Sequence, residues 1–227
     1  MNDFNLPPER IARLHQLLDE VLRVNQQFNL TAVREPEAAW TKHVLDSLQG
    51  LKTSLFEEHK SVIDVGSGAG FPGLALAIAR PELKIRLLDA TRKKCDFMQS
   101  VAEQLGLNAK TINERAEDVG PNVVWRERFD IGIARAVGSL SEVCELVLPL
   151  VKVGGHAVLW RGSFAVEEAR QSRNAIRKLG GKPDVTTTPY RLPDSPMTYH
   201  LVVIEKTART PKTYPRRVGI PKSKPLD

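Results

Sequence analysis

Four glycines and an aspartate crowd into ten residues: Asp64-Val65-Gly66-Ser67-Gly68-Ala69-Gly70-Phe71-Pro72-Gly73. Glycine turns sharply and lets a ligand lie against bare backbone. The short, mostly β-branched run at 62–65 reads as a buried parallel strand. Residues 74–79 read as a helix whose free N–H groups and dipole point back at the turn. Strand, glycine turn and helix in this order make a cradle for a nucleotide-type cofactor. Asp89 ends the next apolar run, 84–88, about 20 residues beyond the glycines. A carboxylate there can hold a ribose diol by paired hydrogen bonds.

Two frames fit the glycines. Gly68-x-Gly70-x-x-Gly73 matches a dinucleotide fingerprint. Asp64-x-Gly66-x-Gly68-x-Gly70 is the pattern of Rossmann-like S-adenosylmethionine (SAM) methyltransferases. The strand ends at Val65, so Gly66 abuts it, which favours the second frame. Asp64 favours it too, because a carboxylate suits the cationic end of an amino-acid-bearing cofactor and would repel a pyrophosphate. Asp89 serves the ribose of either cofactor. After the third strand, residues 113–118 offer a polar loop where an adenine could lie, although such a loop also caps helices. Arg135 follows the fourth apolar run, where methyl donor and acceptor should meet; an arginine there needs an anionic or carbonyl partner. Upstream, Asn29-Leu30-Thr31 and His43-x-x-Asp46-Ser47 place polar groups on apolar elements, chemistry more typical of caps and satisfied core polars.

The elements that must position these groups follow from periodicity. A helix starts after Pro7-Pro8 with Ile11, Leu14, Leu17, Leu18, Val21 and Leu22 on one face. A second spans about 35–51. Strands near 62–65, 84–88, 109–113, 129–134 and 155–161 then alternate with helices at 73–79, 92–105, 139–150 and 164–179. Strands near 182–188 and 199–206 close the chain. Alternation of this kind means a doubly wound, mostly parallel α/β sheet, and the last two strands form an antiparallel C-terminal edge. The expected organisation is an N-terminal helical extension (1–55), a Rossmann-like domain (56–206) and a basic, proline-rich tail (207–227).

Composition narrows the function classes. No apolar stretch approaches the roughly 20 residues of a membrane span. Met1-Asn2-Asp3-Phe4-Asn5 lacks the layout of a signal peptide, so a cytoplasmic protein is expected. Cys95 and Cys144 form no CxxC pair and should be reduced thiols. Five scattered histidines show no metal-ligand spacing, and no metal site is assigned. No exposed apolar stripe asks for a partner, so a monomer is expected. Residues 206–227 carry seven basic groups against Asp227, which accounts for the whole formal charge of +6. Four prolines there deny the tail a helix or a central strand. A basic, extended arm suggests contact with a polyanion, and its stiffness equally allows it to fold back near the cofactor. Removing 209–227 should weaken polyanion binding and spare the fold.

Together these segments resemble a known family. Phe28-Asn29-Leu30-Thr31-Ala32-Val33-Arg34, His43-x-x-Asp46-Ser47-Leu48 and the glycine turn are similar to motifs of bacterial small-subunit ribosomal RNA guanine-N7 methyltransferases, once called glucose-inhibited division protein B. So are Arg115-Ala116-Glu117, Ala134-Arg135-Ala136 and the ending Pro215-Arg216-Arg217-x-Gly219-x-Pro221. The resemblance implies methyl transfer from SAM to N7 of one guanine in 16S ribosomal RNA, on the 30S subunit or its assembly intermediate. It implies that Gly66, Phe71, Ala116, Glu117 and Arg135 bind SAM, beside Asp64, Gly68, Gly70 and Asp89 from the turn and ribose positions. Asn29, His43, Arg135, Arg161, Arg216, Arg217, Lys222 and Lys224 are the expected RNA-side residues. Trp160-Arg161-Gly162 departs from the family's frequent Lys-Gly pair; the cation is kept, with a fork in place of a point charge.

Guanine N7 carries a lone pair and no proton, so its methylation needs no general base and no catalytic triad is expected. Catalysis then rests on alignment of the reactants, worth up to about 7–11 kcal/mol. N7 lies in the deep major groove of paired RNA, so the target base should be unpaired or extruded. Two other readings stand beside this one. An NAD-dependent oxidoreductase is disfavoured by the edge hairpin and the missing substrate domain; a SAM-sensing or ribosome-binding module would bind cofactor without turnover.

Overall fold

The computed structural model describes residues 4–57 and 59–227. Met1, Asn2 and Asp3, on which the reading of the N-terminus partly rests, lie outside the described residues. Seven strands form one sheet: β1 (Ser61–Val65), β2 (Lys84–Leu88), β3 (Ala109–Ile112), β4 (Phe129–Arg135), β5 (Val151–Arg161), β6 (Thr186–Arg191) and β7 (Thr198–Glu205). Their order is β3-β2-β1-β4-β5-β7-β6. The first five run parallel, and β7 lies antiparallel between β5 and β6. This is the doubly wound sheet with an antiparallel edge that periodicity predicts. Strand order reverses between β1 and β4, the switch point beside which open α/β sheets bind ligands.

Alternation along each strand splits the core into two layers. Val62 and Ile85 face one side, with Leu14, Leu17, Leu18 and Val21 of α1 (Pro8–Asn25) and the apolar helix α4 (Gly73–Ala79). The N-terminal helix is thus built into the same apolar layer as the helix that follows the glycine turn. Ile63, Val65 and Leu88 face the other side, with Leu140, Val143 and Val147 of α7 (Leu140–Val147). Two further helices complete the parallel half, α5 (Arg92–Gln104) and the single turn α6 (Ala116–Val119). The second predicted helix is three pieces in line: α2 (Pro36–Ala39), a π-turn (Trp40–Leu45) and α3 (Asp46–Leu48), ending in a 3-10 turn (Gln49–Thr53).

Some boundaries differ from expectation. The strand expected at 182–188 runs Thr186–Arg191; before it, Gly181 bridges to Lys206 and Lys182 N–H reaches Glu205 O at 2.8 Å. The helix expected at 164–179 is two, α8 (Ala165–Gln171) and α9 (Arg173–Lys178), broken at Ser172. Ser172 Oγ accepts a hydrogen bond from Ser141 on α7 at 3.0 Å.

The tail follows the second of its two expected alternatives and folds back on the domain, where Gly219 N–H donates to Glu117 Oε1 of α6 at 3.0 Å. Arg126 donates to the carbonyls of Gly120, Thr210, Pro211 and Tyr214 at 2.7 to 3.0 Å. Glu145 of α7, wholly buried, receives the backbone N–H of Arg216 at 2.8 Å and its guanidinium at 2.6 and 2.9 Å. Buried Lys206 donates to Leu148 O at 2.5 Å and Thr210 Oγ1 at 2.6 Å. The prolines do not bar a helix, because α10 (Ile220–Ser223) is a single turn with Pro221 in its first turn, where no N–H is missed. Nor can residues 209–227 be removed without touching the fold, since Glu145 would keep a buried charge and lose Arg216, and Lys206 would lose the Thr210 hydroxyl.

Both cysteines are free and buried. Among the described residues no helix is long and apolar enough to cross a membrane, and no group of three or more His, Cys, Asp or Glu gathers as for a metal.

Candidate active site

Two cavities open at the C-terminal ends of the parallel strands, on either side of residues 135–137 where β4 ends. The first, about 290 Å³, lies over the glycine turn and is lined by Gly66, Asp89, Thr91, Glu114, Ala116, Glu117 and Val137 among others. Gly66, Gly68 and Gly70 have φ of +75°, +60° and +93°, the left-handed region that glycine occupies without penalty. A Cβ on Gly66 would come to 3.0 Å from Val137 Cγ2, across the mouth of the crevice. Asp89 is held in place by Gly68 N–H on Oδ2 (3.0 Å) and Thr91 N–H on Oδ1 (2.8 Å). Each oxygen keeps a second acceptor position.

Asp64 lies beneath the turn and is fully buried. Its Oδ2 accepts from Gly73 N–H at 2.9 Å, which ties the start of α4 to β1; Oδ1 has no partner. Burial pushes this carboxyl up to about 7. Asp64 thus braces the turn through Gly73 while one of its oxygens stays unpartnered.

The second cavity, about 420 Å³, is built from four separate parts of the chain. Lys42, His43 and Asp46 come from the π-turn and α3, Arg135 and Ala136 from the end of β4, Trp160 and Arg161 from β5, and Tyr190 and Tyr199 from the edge strands. Arg135 is its hub. Nη1 donates to Lys42 O at 2.8 Å and Asp46 Oδ2 at 2.9 Å, and Nη2 lies 3.3 Å from His43 Nδ1. The π-turn puts one helix carbonyl out of step with the ladder, and that of Lys42 is the one Arg135 takes. Asp46 Oδ1 accepts from Tyr190 Oη at 2.5 Å, and Asp46 O accepts from Trp160 Nε1 at 2.7 Å. Burial, then the charge of Arg135, lowers His43 to about 4, so its ring is neutral at pH 7. With Nδ1 facing a guanidinium donor, the proton belongs on Nε2, which donates to Thr31 Oγ1 at 2.8 Å. Burial and Asp46 raise the Tyr190 phenol, which stays protonated.

The predicted residues divide by location. Gly66, Asp89, Ala116 and Glu117 meet on the first cavity; His43, Arg135 and Arg161 meet on the second. Gly70 and Phe71 are buried behind them, with Phe71 stacked on His43 at 5.0 Å and Arg135 5.8 Å above its ring. Asn29 is exposed on a different hollow, beside Gln26 and Arg34. Arg216 is committed to Glu145, whereas Arg217, Lys222 and Lys224 are exposed. Periodicity and motif reading missed Asp46, Trp160, Tyr190 and Tyr199 as site residues. Tyr190 lies just beyond the strand expected at 182–188, and it is the extension of that strand to Arg191 that pairs it directly with Tyr199.

The family model for GidB, described as rRNA small subunit methyltransferase G, matches residues 10–190. Ribosomal RNA small subunit methyltransferase G of Trichormus variabilis is 42% identical over 221 residues, covering 95% of this chain and 90% of that protein. Its namesake from Brevibacillus brevis is 40% identical over 203 residues, covering 89% and 85%. In fold, the chain is similar to the tRNA (m1A58) methyltransferase TrmI of Aquifex aeolicus, with a TM-score of 0.54 at 16% identity over 72% of this chain and 68% of that one. It is similar also to a precorrin-6y C5,15-methyltransferase of Geobacter metallireducens, with a TM-score of 0.51 at 13% identity over 70% and 88%. The dehydrogenase alternative falls here: sheet order, a full-length set of methyltransferase relatives and the family model agree, and the chain belongs to the rRNA small subunit methyltransferase G family.

Proposed function

We propose that this chain transfers a methyl group from SAM to N7 of a guanine in 16S ribosomal RNA. The observation that carries the reading is the thin wall between the cavities: Arg135 and Ala136 line one and the next residue, Val137, lines the other, so a donor in one and a base in the other would meet across Arg135-Ala136-Val137. The residues present suit SAM. Gly66 and Gly68 offer backbone without a Cβ, Asp89 keeps acceptor capacity for a ribose diol, and the Ala116-Glu117 turn suits an adenine edge. When bound, SAM supplies an activated methyl on a sulfonium.

The lone pair of N7 forms the new N–CH3 bond as the S–CH3 bond breaks. With SAM bound, the purine would take up the positive charge as a neutral thioether leaves, and no residue of the chain would have a proton to move. Lys42, Arg135 and Arg161 orient the base and its phosphates, while His43 stays neutral and holds the 31–33 loop through Thr31. Arg217, Lys222 and Lys224 supply phosphate contacts from the anchored tail. The substrate is the 30S particle or its assembly intermediate with the guanine extruded, and the enzyme acts in the cytoplasm as a monomer.

The test is methyl transfer from radiolabelled SAM to unmodified 30S subunits and to protein-free 16S RNA, followed by nucleoside mass spectrometry. A 7-methylguanosine signal is expected. SAM binding without incorporation on either substrate would favour a binding module.

A further inference from the structure

The reaction leaves a positive charge on the purine, so the acceptor cavity must accommodate a cation after having bound a neutral base. Its own charges are arranged for this. Arg135 is answered by Asp46 at 2.9 Å, and Arg161 by both oxygens of Glu168 at 2.7 and 3.0 Å. His43 carries no charge at pH 7. Lys42 is left as the exposed cation on the rim.

What remains to face the base is aromatic. Trp160 is 3% exposed and its ring packs on Gly50; Tyr190 is 9% exposed with its hydroxyl spent on Asp46. Tyr199 is the half-buried ring of the three. One side of it rests on Tyr190, with centroids 5.7 Å apart and planes 25° from parallel. Its hydroxyl lies 3.2 Å from Ser195 Oγ. Tyr190 is in turn fixed from below by Asp46, so the platform is held rigid from both ends. A ring face attracts a cation through its quadrupole, and nucleobases stack on such faces.

The geometry points to Tyr199 as the face on which the target guanine stacks and which stabilises the purine as it becomes cationic, an assignment that rests on the N7-methyl transfer proposed above. Asp46 and Tyr190 act as positioning residues for it. The hydroxyl of Tyr199 orients the ring, while the ring itself does the work on the substrate.

The experiment compares wild type, Tyr199→Phe and Tyr199→Leu. SAM affinity by calorimetry and the melting temperature first verify that each variant is folded with an intact cofactor site. Steady-state methylation of 30S subunits is then measured, with equilibrium binding of 7-methyl-GMP and GMP to the S-adenosylhomocysteine complex. Tyr199→Leu should lower kcat about tenfold or more, and Tyr199→Phe should restore most of that loss. Wild type should prefer 7-methyl-GMP over GMP by about fivefold or more, and the leucine variant should lose that preference. If wild type methylates and the leucine variant matches it in kcat and in nucleotide preference, the Tyr199 assignment is overturned while the reaction stands. If phenylalanine and leucine are equally impaired, the ring face is not the agent and the assignment again falls. A wild type that makes no 7-methylguanosine overturns the reaction and the assignment together.

Discussion

Arg135 and Asp46, 89 residues apart in the chain, meet at 2.9 Å with side chains only 14% and 11% exposed. This pair bolts the helical stretch before the sheet to the end of β4. Because Asp46 also receives Tyr190 from the sheet edge, one carboxylate joins three regions around the acceptor cavity.

Asp46→Ala should therefore damage stability and function together. It leaves a nearly buried guanidinium without its counter-charge, which costs about 3 kcal/mol. Chemical denaturation measures that loss. Methyl transfer should fall on the order of 10²-fold from misplaced groups. A variant with wild-type stability would show that water replaces the carboxylate at no cost.

His43 sets a pH dependence. Its folded pKa is lowered from 6.5 to about 4, so between those values the unfolded chain takes a proton that the native chain refuses. Its stabilising contribution is full above about 6.5 and is lost as pH falls through that window to about 4, with a slope of up to about 1.4 kcal/mol per pH unit. His43→Gln should remove this component, measured as the difference between the two stability–pH curves. Parallel curves would refute it.

Gly66→Val puts a β-branched residue at φ +75° and a side chain toward Val137. Backbone strain of about 1–3 kcal/mol is expected. SAM affinity by calorimetry should drop below detection as the side chain fills the crevice. Unchanged affinity would remove the turn from the cofactor site.

The tail separates anchoring from RNA binding. Arg216→Ala strands the buried carboxylate of Glu145 and should cost about 3–5 kcal/mol. Replacing Arg217, Lys222 and Lys224 together with alanine should leave stability within about 0.5 kcal/mol per site. It should also flatten the salt dependence of RNA binding by about 0.7 for each phosphate no longer neutralised. An unaltered salt slope would mean that other basic groups hold the phosphates.

The cofactor cradle was legible in the sequence because it is local. Asp64 to Gly73 is one strand–turn–helix unit, and the backbone conformations its glycines permit are set within a few residues. Asp89 was legible for the same reason, as the end of the neighbouring strand in a parallel sheet. Strand alternation likewise determined the sheet and its antiparallel edge. The acceptor cavity was not legible, since Asp46, Trp160, Tyr190 and Tyr199 come from four segments and are ordinary core residues in their own sequence contexts. Only the placement of β7 between β5 and β6 brings Tyr190 onto Asp46 with Tyr199 stacked beside it. The tail shows the same limit from the other side. Its charge could be counted along the chain, but whether Arg216 faced solvent or Glu145 depended on a buried carboxylate 71 residues away. Local backbone chemistry determined where a cofactor could lie; long-range packing decided which side chains surround the base.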